Sequence, residues 1–255
     1  MEVEGEPPLI LDLGTGLRAL GDYLQDPLRA EGVPLRASAL LTHLHYDHVM
    51  GLPFFAPMRV PGAELDVYGP SQEGTSLKEA LSGIVQPPFF PIHMADLDGD
   101  LRFHDLDGDN DFTIGAIGVK VRSVPHIGHT LGFRIEAEGR SVAYLSDHQA
   151  PIERRSVDHG VLVLCDDADL VIHDAQYTDE EFVNLPDWGH STAAYALHVA
   201  RESGARRLSL FHHDPSHIDK EIDRMLDQLR RMASKEHLVE VSAAAEGVSV
   251  DLGKA

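Results

Sequence analysis

The segment "THLHYDHVMG", residues 42–51, concentrates side chains that bind metal ions. Four of them stand within six positions, directly after the apolar run "SALL": His43, His45, Asp47 and His48. Side chains two apart on an extended chain point the same way, so His43 and His45 can hold one ion. Asp47 and His48 fall where the chain turns towards a helix, and they can reach a second ion. Imidazoles and carboxylates together suit zinc, manganese or iron, and paired ions are a recurring hydrolytic arrangement.

The composition is that of an acidic globular chain. Among 255 residues, 42 are acidic and 21 are basic, which gives a formal net charge of -21. Such a charge repels phosphate backbones, so we expect extended nucleic acids to be poor partners. The first residues lack a basic region followed by an apolar core, and no apolar run approaches membrane-spanning length, so we expect neither secretion nor a membrane partner. The single cysteine, Cys165 in "VLVLC", reads as a buried thiol and is compatible with a cytoplasmic protein.

The elements that position these residues follow from hydrophobic periodicity and turn signals. Helical spacing or capping residues mark "LRALGDYLQDPL", "SQEGTSLKEALSGIV", "STAAYALHVARESG" and residues 216–234. Strands are predicted at "PPLILDL", "RASALLT", "ELDVYG", "FTIG", "GVKVRSV", "LGFRIEA", "RSVAYLS", "DLVIHDA", "RRLSLFHH" and "LVEVSAA". The acidic stretch 96–112 lacks the ligand spacing of an EF-hand loop, so we predict hairpin turns there. Runs of strands interrupted by helices indicate two mixed sheets flanked by helices, in one domain over residues 1–255.

The motifs resemble those of the metallo-β-lactamase fold hydrolases, whose signature H-x-H-x-D-H is matched by residues 43–48. "LDLGTG", "SVPHIGHTLGFRIE", "YLSDH" and "LFHHDP" are similar to further family segments, so the resemblance covers nearly the whole chain. The similarity is greatest to the branch of ribonuclease Z and related phosphodiesterases. It implies an α+β fold, a four-layer αβ/βα sandwich of two mixed sheets. It also implies that the family's first N-terminal strand is missing here.

The resemblance further implies a dinuclear site. In that branch, the third histidine lies six residues before a Gly-aromatic pair, which favours His126 over His129. The last histidine lies two residues after a strand leucine, which favours His212 over His213, although both choices stay open. The implied ligands are His43, His45 and His126 for one ion, Asp47, His48 and His212 for the other, and Asp147 as the bridge. The remaining histidines, including His148, are expected around the ligands or in solvent.

A catalytic acid is implied by "WGHSTAAYALHV", which resembles the family's H-S-T-A segment. His190 would protonate the leaving group, and Asp174 would orient it where the family usually has glutamate. The alternative is that His190 only packs at the start of a helix. Asp47 is included with His190 and Asp174 in the expected catalytic set.

The expected reaction is hydrolysis of a small, cyclic nucleotide-like phosphodiester by a hydroxide that two divalent ions share. Zn²⁺ is expected, with Mn²⁺ or Fe²⁺ as alternatives. A tRNA-processing relative carries an extended arm between the equivalents of His126 and Asp147, where this chain has a short segment. Five aromatic residues could line a base-sized pocket or anchor loops: Phe54, Phe55, Phe89, Phe90 and Trp188. Other readings are a ribonuclease Z-like endonuclease, another ester hydrolase and a non-catalytic metal-binding protein, and a homo-oligomer stays open.

Overall fold

The computed structural model describes residues 1–233 and 240–253. The chain divides into two compact units, Met1–Asp107 and Gly108–Ala255. Each unit contains one β-sheet with its own helices. Whether the two units together form the predicted single domain depends on how they combine, so the single domain stays a prediction.

The first unit is built on a four-stranded sheet in the order β1-β2-β3-β4. Its strands are β1 (Leu9–Leu11), β2 (Arg36–Leu40), β3 (Glu64–Pro70) and β4 (Asp100–Leu106), and its helices are α1 (Gly16–Glu31), α2 (Tyr46–Val49) and α3 (Leu77–Ile84). All neighbouring strands run parallel, where we expected mixed pairing. Parallel neighbours need crossover connections, and the segments that contain the helices provide them.

Local signals explain how α3 begins. The Ser76 hydroxyl accepts from the Glu79 backbone N–H at 3.3 Å, and the Glu79 carboxylate accepts from the Ser76 N–H at 2.9 Å. This reciprocal capping box satisfies two backbone donors that the first helical turn leaves open. The predicted helix with a serine near its start is therefore confirmed.

The second unit is built on a seven-stranded sheet in the order β11-β10-β9-β8-β7-β6-β5. Its strands are β5 (Asp111–Ile114), β6 (Ile117–Ser123), β7 (Leu131–Ala137), β8 (Arg140–Leu145), β9 (Leu170–Asp174), β10 (Arg207–Phe211) and β11 (Glu240–Ala243). Its helices are α4 (His159–Cys165), α5 (Asp179–Phe182), α6 (Ala193–Glu202) and α7 (Asp219–Ala233). Pairing is antiparallel from β5 to β8 and parallel from β8 to β11, so this sheet is mixed as predicted.

The core of the second unit packs α4 and α6 against the sheet. Tyr195 and Leu197 of α6 are buried with Val171 and Leu208 of the central strands. Cys165 belongs to the same cluster, and burial raises the pKa of its thiol to about 12. The predicted buried, unreactive thiol is confirmed.

The acidic stretch 96–112 differs from the prediction. It contains β4, which pairs in parallel with β3 in the first unit, and the start of β5, which pairs with β6 in the second. The hairpin prediction was wrong because Asp-Gly turns make a hairpin only when their flanking runs pair with each other. At the other end of the chain, Ser234 of the predicted helix and residues 238–239 of the predicted strand lie outside the described residues.

The helices described in residues 1–233 and 240–253 include none with both the length and the apolar composition needed to cross a membrane.

Asp169 is a buried carboxylate that ties strands of the second unit together. It accepts from the Ser141 N–H at 2.9 Å and from Arg140 and Arg206, each at 3.0 Å. Burial alone would raise its pKa, but the Ser141 N–H and the two guanidinium groups outweigh burial and hold the pKa below its ordinary value.

Replacing Asp169 with asparagine is expected to lower the free energy of unfolding by about 1–3 kcal/mol, as for lost charge-assisted hydrogen bonds. Because the folded pKa is depressed, the stabilisation is complete above the unfolded pKa of about 3.9 and is lost as pH falls through the folded pKa. Urea denaturation of metal-free protein should therefore show a difference from wild type that shrinks between pH 7 and about pH 3.5. The exposed Asp166 offers a control, Asp166→Asn, with little effect expected. An equal difference at both pH values would contradict the assignment.

Candidate metal centre

The first unit places its ligand-rich segment at the carboxyl end of β2. The strand ends at the buried Leu40, and α2 begins at Tyr46, directly after His45. His43 and His48 are buried, whereas His45 and Asp47 are exposed. The segment therefore combines fixed histidines with others that reach solvent.

Asp12, at the carboxyl end of β1, holds this segment in place. Its carboxylate accepts from the Thr42 N–H at 2.7 Å and from the His48 Nδ1–H at 2.8 Å. Burial would raise its pKa, but the nearby His48 and the hydrogen bonds from His48 and Thr42 lower it below the ordinary value. Asp12 has a φ of 57°, a left-handed conformation that is uncommon outside glycine and is found at functional sites. The buried Asp12 carboxylate thus holds the signature segment in place through its hydrogen bonds to Thr42 and His48.

The hydrogen bonds around Asp12 fix which ring nitrogens face outward. The Thr42 hydroxyl lies 3.0 Å and 3.1 Å from the two Asp12 oxygens and 3.0 Å from His43 Nδ1. Because a carboxylate only accepts, Thr42 donates to Asp12 and accepts from the His43 Nδ1–H. Nε2 is therefore the nitrogen that His43 and His48 would each offer to a metal. His43 Nε2 lies 2.9 Å from His45 Nδ1, and His48 Nε2 lies 3.3 Å from Asp47 Oδ2.

The second unit gathers its predicted site residues around Asp147, which follows β8 and is 2% exposed. Its Oδ2 lies 3.6 Å from His126 Nε2 and 3.8 Å from His190 Nδ1. Its Oδ1 lies 3.5 Å from His212 Nε2. The structure thus brings His126, Asp147, His190 and His212 together, and the nitrogens that face Asp147 come from three separate segments.

Each of these histidines is oriented through Nδ1. His126 donates to the Gly189 carbonyl at 2.6 Å, and His212 donates to the Gln176 side-chain oxygen at 3.0 Å. Such partners fix the tautomer, so Nε2 is the nitrogen that His126 and His212 would offer to a metal. His212 has a φ of 54°, so the second unit also has a left-handed residue at its site.

His190 uses Nδ1 differently, because it donates to Asp174 Oδ2 at 2.8 Å. Asp174 is fully buried and accepts further backbone N–H groups, from His148 at 3.1 Å, Gln176 at 3.0 Å and Ser191 at 3.3 Å. Four donors hold this carboxylate in one orientation, so it can orient the His190 ring. His190 also stacks on His212, with ring centroids 5.0 Å apart.

His148 is buried completely, although it directly follows Asp147. His173 Nδ1–H donates to the Asp174 carbonyl at 2.7 Å, so its Nε2 accepts from the His148 Nδ1–H at 2.9 Å. Burial lowers the pKa of both imidazoles, and the nearby His173 and His126 lower the pKa of His148 further. The pair is therefore neutral packing behind the site. Of the remaining histidines, His217 donates to Glu181 at 2.8 Å.

Several of the residues that orient the predicted ligands were not themselves predicted: Asp12, Thr42, Gln176 and Gly189. Asp12 could have been identified from the sequence as a site residue, because it follows a buried strand and lies two residues before the turn "GTG". Gln176 and Gly189 carried no such signal, since their role depends on contacts between distant segments.

The donor set of each unit fits divalent metal ions. Imidazoles with one nitrogen oriented by a hydrogen-bond partner, together with a nearby carboxylate, match the ligands that zinc and similar ions prefer. In the second unit, Asp147, His190 and His212 each offer a ligand atom within 4.8 Å of the others. The Nδ1 of His190 is engaged by Asp174, which leaves His190 better placed for proton transfer than for ligation.

The two sheets with their helices have the metallo-β-lactamase fold. The family described as "Beta-lactamase superfamily domain" matches residues 9–213, most of the chain. The protein belongs to this superfamily.

Relatives place it in the ribonuclease Z-like branch. It is 29% identical to ribonuclease Z of Natronomonas pharaonis over 239 residues, which cover 73% of this chain and 75% of the relative. The short form of human tRNase Z has a TM-score of 0.67 at 22% identity, covering 99% of this chain and 91% of that one. Zn²⁺-bound PqqB from Methylobacterium extorquens has a TM-score of 0.68 at 19% identity, covering 98% and 85%. The predicted fold class is confirmed, and the family implies a hydrolase with divalent metals.

Proposed function

We propose that this protein is a dinuclear metal-dependent phosphodiesterase that acts on a small phosphodiester, such as a cyclic nucleotide. The proposed ligands are His43, His45, Asp47 and His48 from the first unit with His126, Asp147 and His212 from the second. This assignment is supported by the family signature and by the way in which each unit orients its own histidines. Zn²⁺ is the proposed metal, and the cytoplasm is the proposed location.

The observation that carries the proposal is the His190–Asp174 pair beside Asp147. Asp174 fixes the His190 ring through Nδ1 at 2.8 Å, so Nε2 can hold a proton for a leaving group. A leaving alkoxide needs this proton, because it is a poor leaving group without one. Asp47, half exposed at the start of α2, is proposed as a ligand that also faces the substrate.

When bound, the two ions would activate a water molecule and offset negative charge on the phosphoryl group. The chain's own residues would orient the proposed ligands and supply the proton. Asp12 and Thr42 keep the first set of imidazoles in one orientation, and Gln176 does so for His212. His190 supplies the proton at Nε2.

A small substrate is supported by two features. The chain between His126 and Asp147 forms β7 and β8 joined by a tight turn at Glu138 and Gly139, both with positive φ. Most of that segment lies in these two strands, and the net charge of -21 disfavours long polyanions.

Aromatic side chains near the signature segment suit recognition of a base. Phe54 is 50% exposed and contacts Phe90 edge to face, with ring centroids 5.9 Å apart. Phe89 is 72% exposed, so it can also meet a ligand. Phe55 is 1% exposed and belongs to the core, which removes it from the proposed pocket.

Purified protein loaded with Zn²⁺ or Mn²⁺ tests the proposal with a substrate panel. The panel contains bis-p-nitrophenyl phosphate, cyclic nucleotides, a tRNA precursor, a thioester and a β-lactam. We expect turnover of the small diesters and loss of that turnover in Asp147→Asn. Cleavage of the tRNA precursor alone would favour the endonuclease instead. Turnover of only the thioester or the β-lactam would show instead that the protein hydrolyses another class of ester or amide. Metal binding without turnover of any substrate would show a non-catalytic metal-binding protein.

A further inference from the structure

We infer that Gln149 is a positioning residue that sets the affinity of the ion held by His126. This inference rests on the proposed function, because it takes His126 to be a ligand. Gln149 lies two residues after Asp147 and touches both chain segments that determine where the His126 ring lies.

The main chain of Gln149 holds the segment that carries His126. The Gln149 N–H donates to the Pro125 carbonyl at 2.7 Å, directly before His126. This bond fixes the backbone from which the imidazole extends.

The side chain of Gln149 holds the segment that orients the ring. Its Nε2 donates to the Pro186 carbonyl at 2.7 Å and to the Ala150 carbonyl at 2.8 Å. Its Oε1 accepts from the Gly189 N–H at 2.6 Å. The amide thus uses both donors and its acceptor on residues 150, 186 and 189, so residues 186–189 have little freedom to move.

Gly189 links Gln149 to His126 through two backbone hydrogen bonds. Its N–H is bound by Gln149, and its carbonyl accepts from the His126 Nδ1–H at 2.6 Å. A Cβ at this position would lie 2.5 Å from His126 Cε1, and the φ of 93° disfavours other residues. The backbone therefore lies directly against the ring, and a shift of residues 186–189 would turn His126 Nε2 away from Asp147.

Gln176 provides the matched comparison, because it orients a different histidine. Its Oε1 accepts from the His212 Nδ1–H at 3.0 Å. In the proposed assignment His126 and His212 serve different ions. The two glutamines should therefore control different ions, which a general loss of structure would not do.

Calorimetric titration of metal-free protein with Zn²⁺ tests this inference. Wild type should bind two ions per chain. Gln149→Ala should weaken one of the two by about 10–100-fold and leave the other unchanged, the range found for partners of metal ligands. Gln176→Ala should instead weaken the other ion, and the double variant should weaken both. Assigning each ion uses His126→Ala and His212→Ala as references.

A second variant keeps the test decisive if Gln149→Ala does not fold. Gln149→Glu has the same length and keeps the acceptor for the Gly189 N–H, but it places a carboxylate oxygen against the Pro186 and Ala150 carbonyls, so it should also weaken the same ion. Wild-type affinity for both ions in either folded variant would overturn the role of Gln149, as would equal weakening of both ions. Fewer than two ions bound by wild type would instead count against the proposed function.

Discussion

Replacing His190 with alanine is expected to lower turnover of a small phosphodiester by about 100-fold or more, while both metal ions are retained. Loss of a general acid has this magnitude. Metal binding should persist because His190 Nδ1 is engaged by Asp174 at 2.8 Å, and the remaining donors of the second unit are oriented by other residues. Steady-state kinetics and metal analysis of the same preparation measure the two outcomes together.

His198 provides a matched control for this experiment. It lies on α6, eight residues after His190, and its Nε2 donates to the Arg155 carbonyl at 2.7 Å. His198→Ala should keep wild-type turnover. If the leaving group is varied, the defect of His190→Ala should be largest for the most basic alkoxide and small for p-nitrophenolate derivatives with lower pKa. Unchanged turnover, or a loss of bound metal that accounts for the whole defect, would remove His190 as the acid.

Replacing Asp12 with asparagine is expected to weaken metal binding by about 10–100-fold, because the partner that orients His48 is lost. Asparagine tolerates the left-handed φ of 57° and can still accept from the Thr42 N–H. The asparagine amide cannot also accept from the His48 Nδ1–H, because its NH₂ group would then face that N–H and place two donors against each other. The metal-free variant should also lose about 1–3 kcal/mol of its free energy of unfolding, as for a buried donor left unpaired.

The two effects of Asp12→Asn are separable by experiment. Zn²⁺ titration measures the affinity, and urea denaturation in the presence of a chelator measures the stability. Asp98→Asn removes the same charge from an exposed position in the same unit and should change neither quantity. A variant as stable as wild type and with the same affinity for Zn²⁺ would mean that Asp12 does not support the site.

Local sequence was sufficient for the parts of the site that are local. His43 and His45 are close because they are two apart just after a strand, and β2 (Arg36–Leu40) lies within the strand predicted at "RASALLT". Most helices and strands of the second unit also follow their periodicity and capping residues, such as Thr192 at the start of α6. The turn into a helix predicted at Asp47 and His48 is present as α2. The short helices α4 and α5 were not predicted, because one or two turns give too few residues for a period.

Non-local contacts account for what was missed. Asp12 reaches Thr42 because β1 and β2 pair in parallel with Leu11 opposite Leu40, a register that residue types do not specify. β4 was read as turns because its residues "DLRFHDL" are largely polar, and its pairing with β3 decides its conformation. Asp147, His126 and His212 were assigned through family resemblance, since residues so far apart along the chain have no spacing rule of their own.

The site residues of both units share one placement, just beyond the carboxyl ends of parallel strands. Asp12 follows β1 and Thr42 follows β2 in the first unit, and Asp174 ends β9 while His212 follows β10 in the second. Connecting loops leave from these ends, and such loops can change in length and sequence without disturbing the buried strands. Substrate preference can therefore diverge during evolution, or be altered by loop grafting, while the reaction chemistry is inherited unchanged.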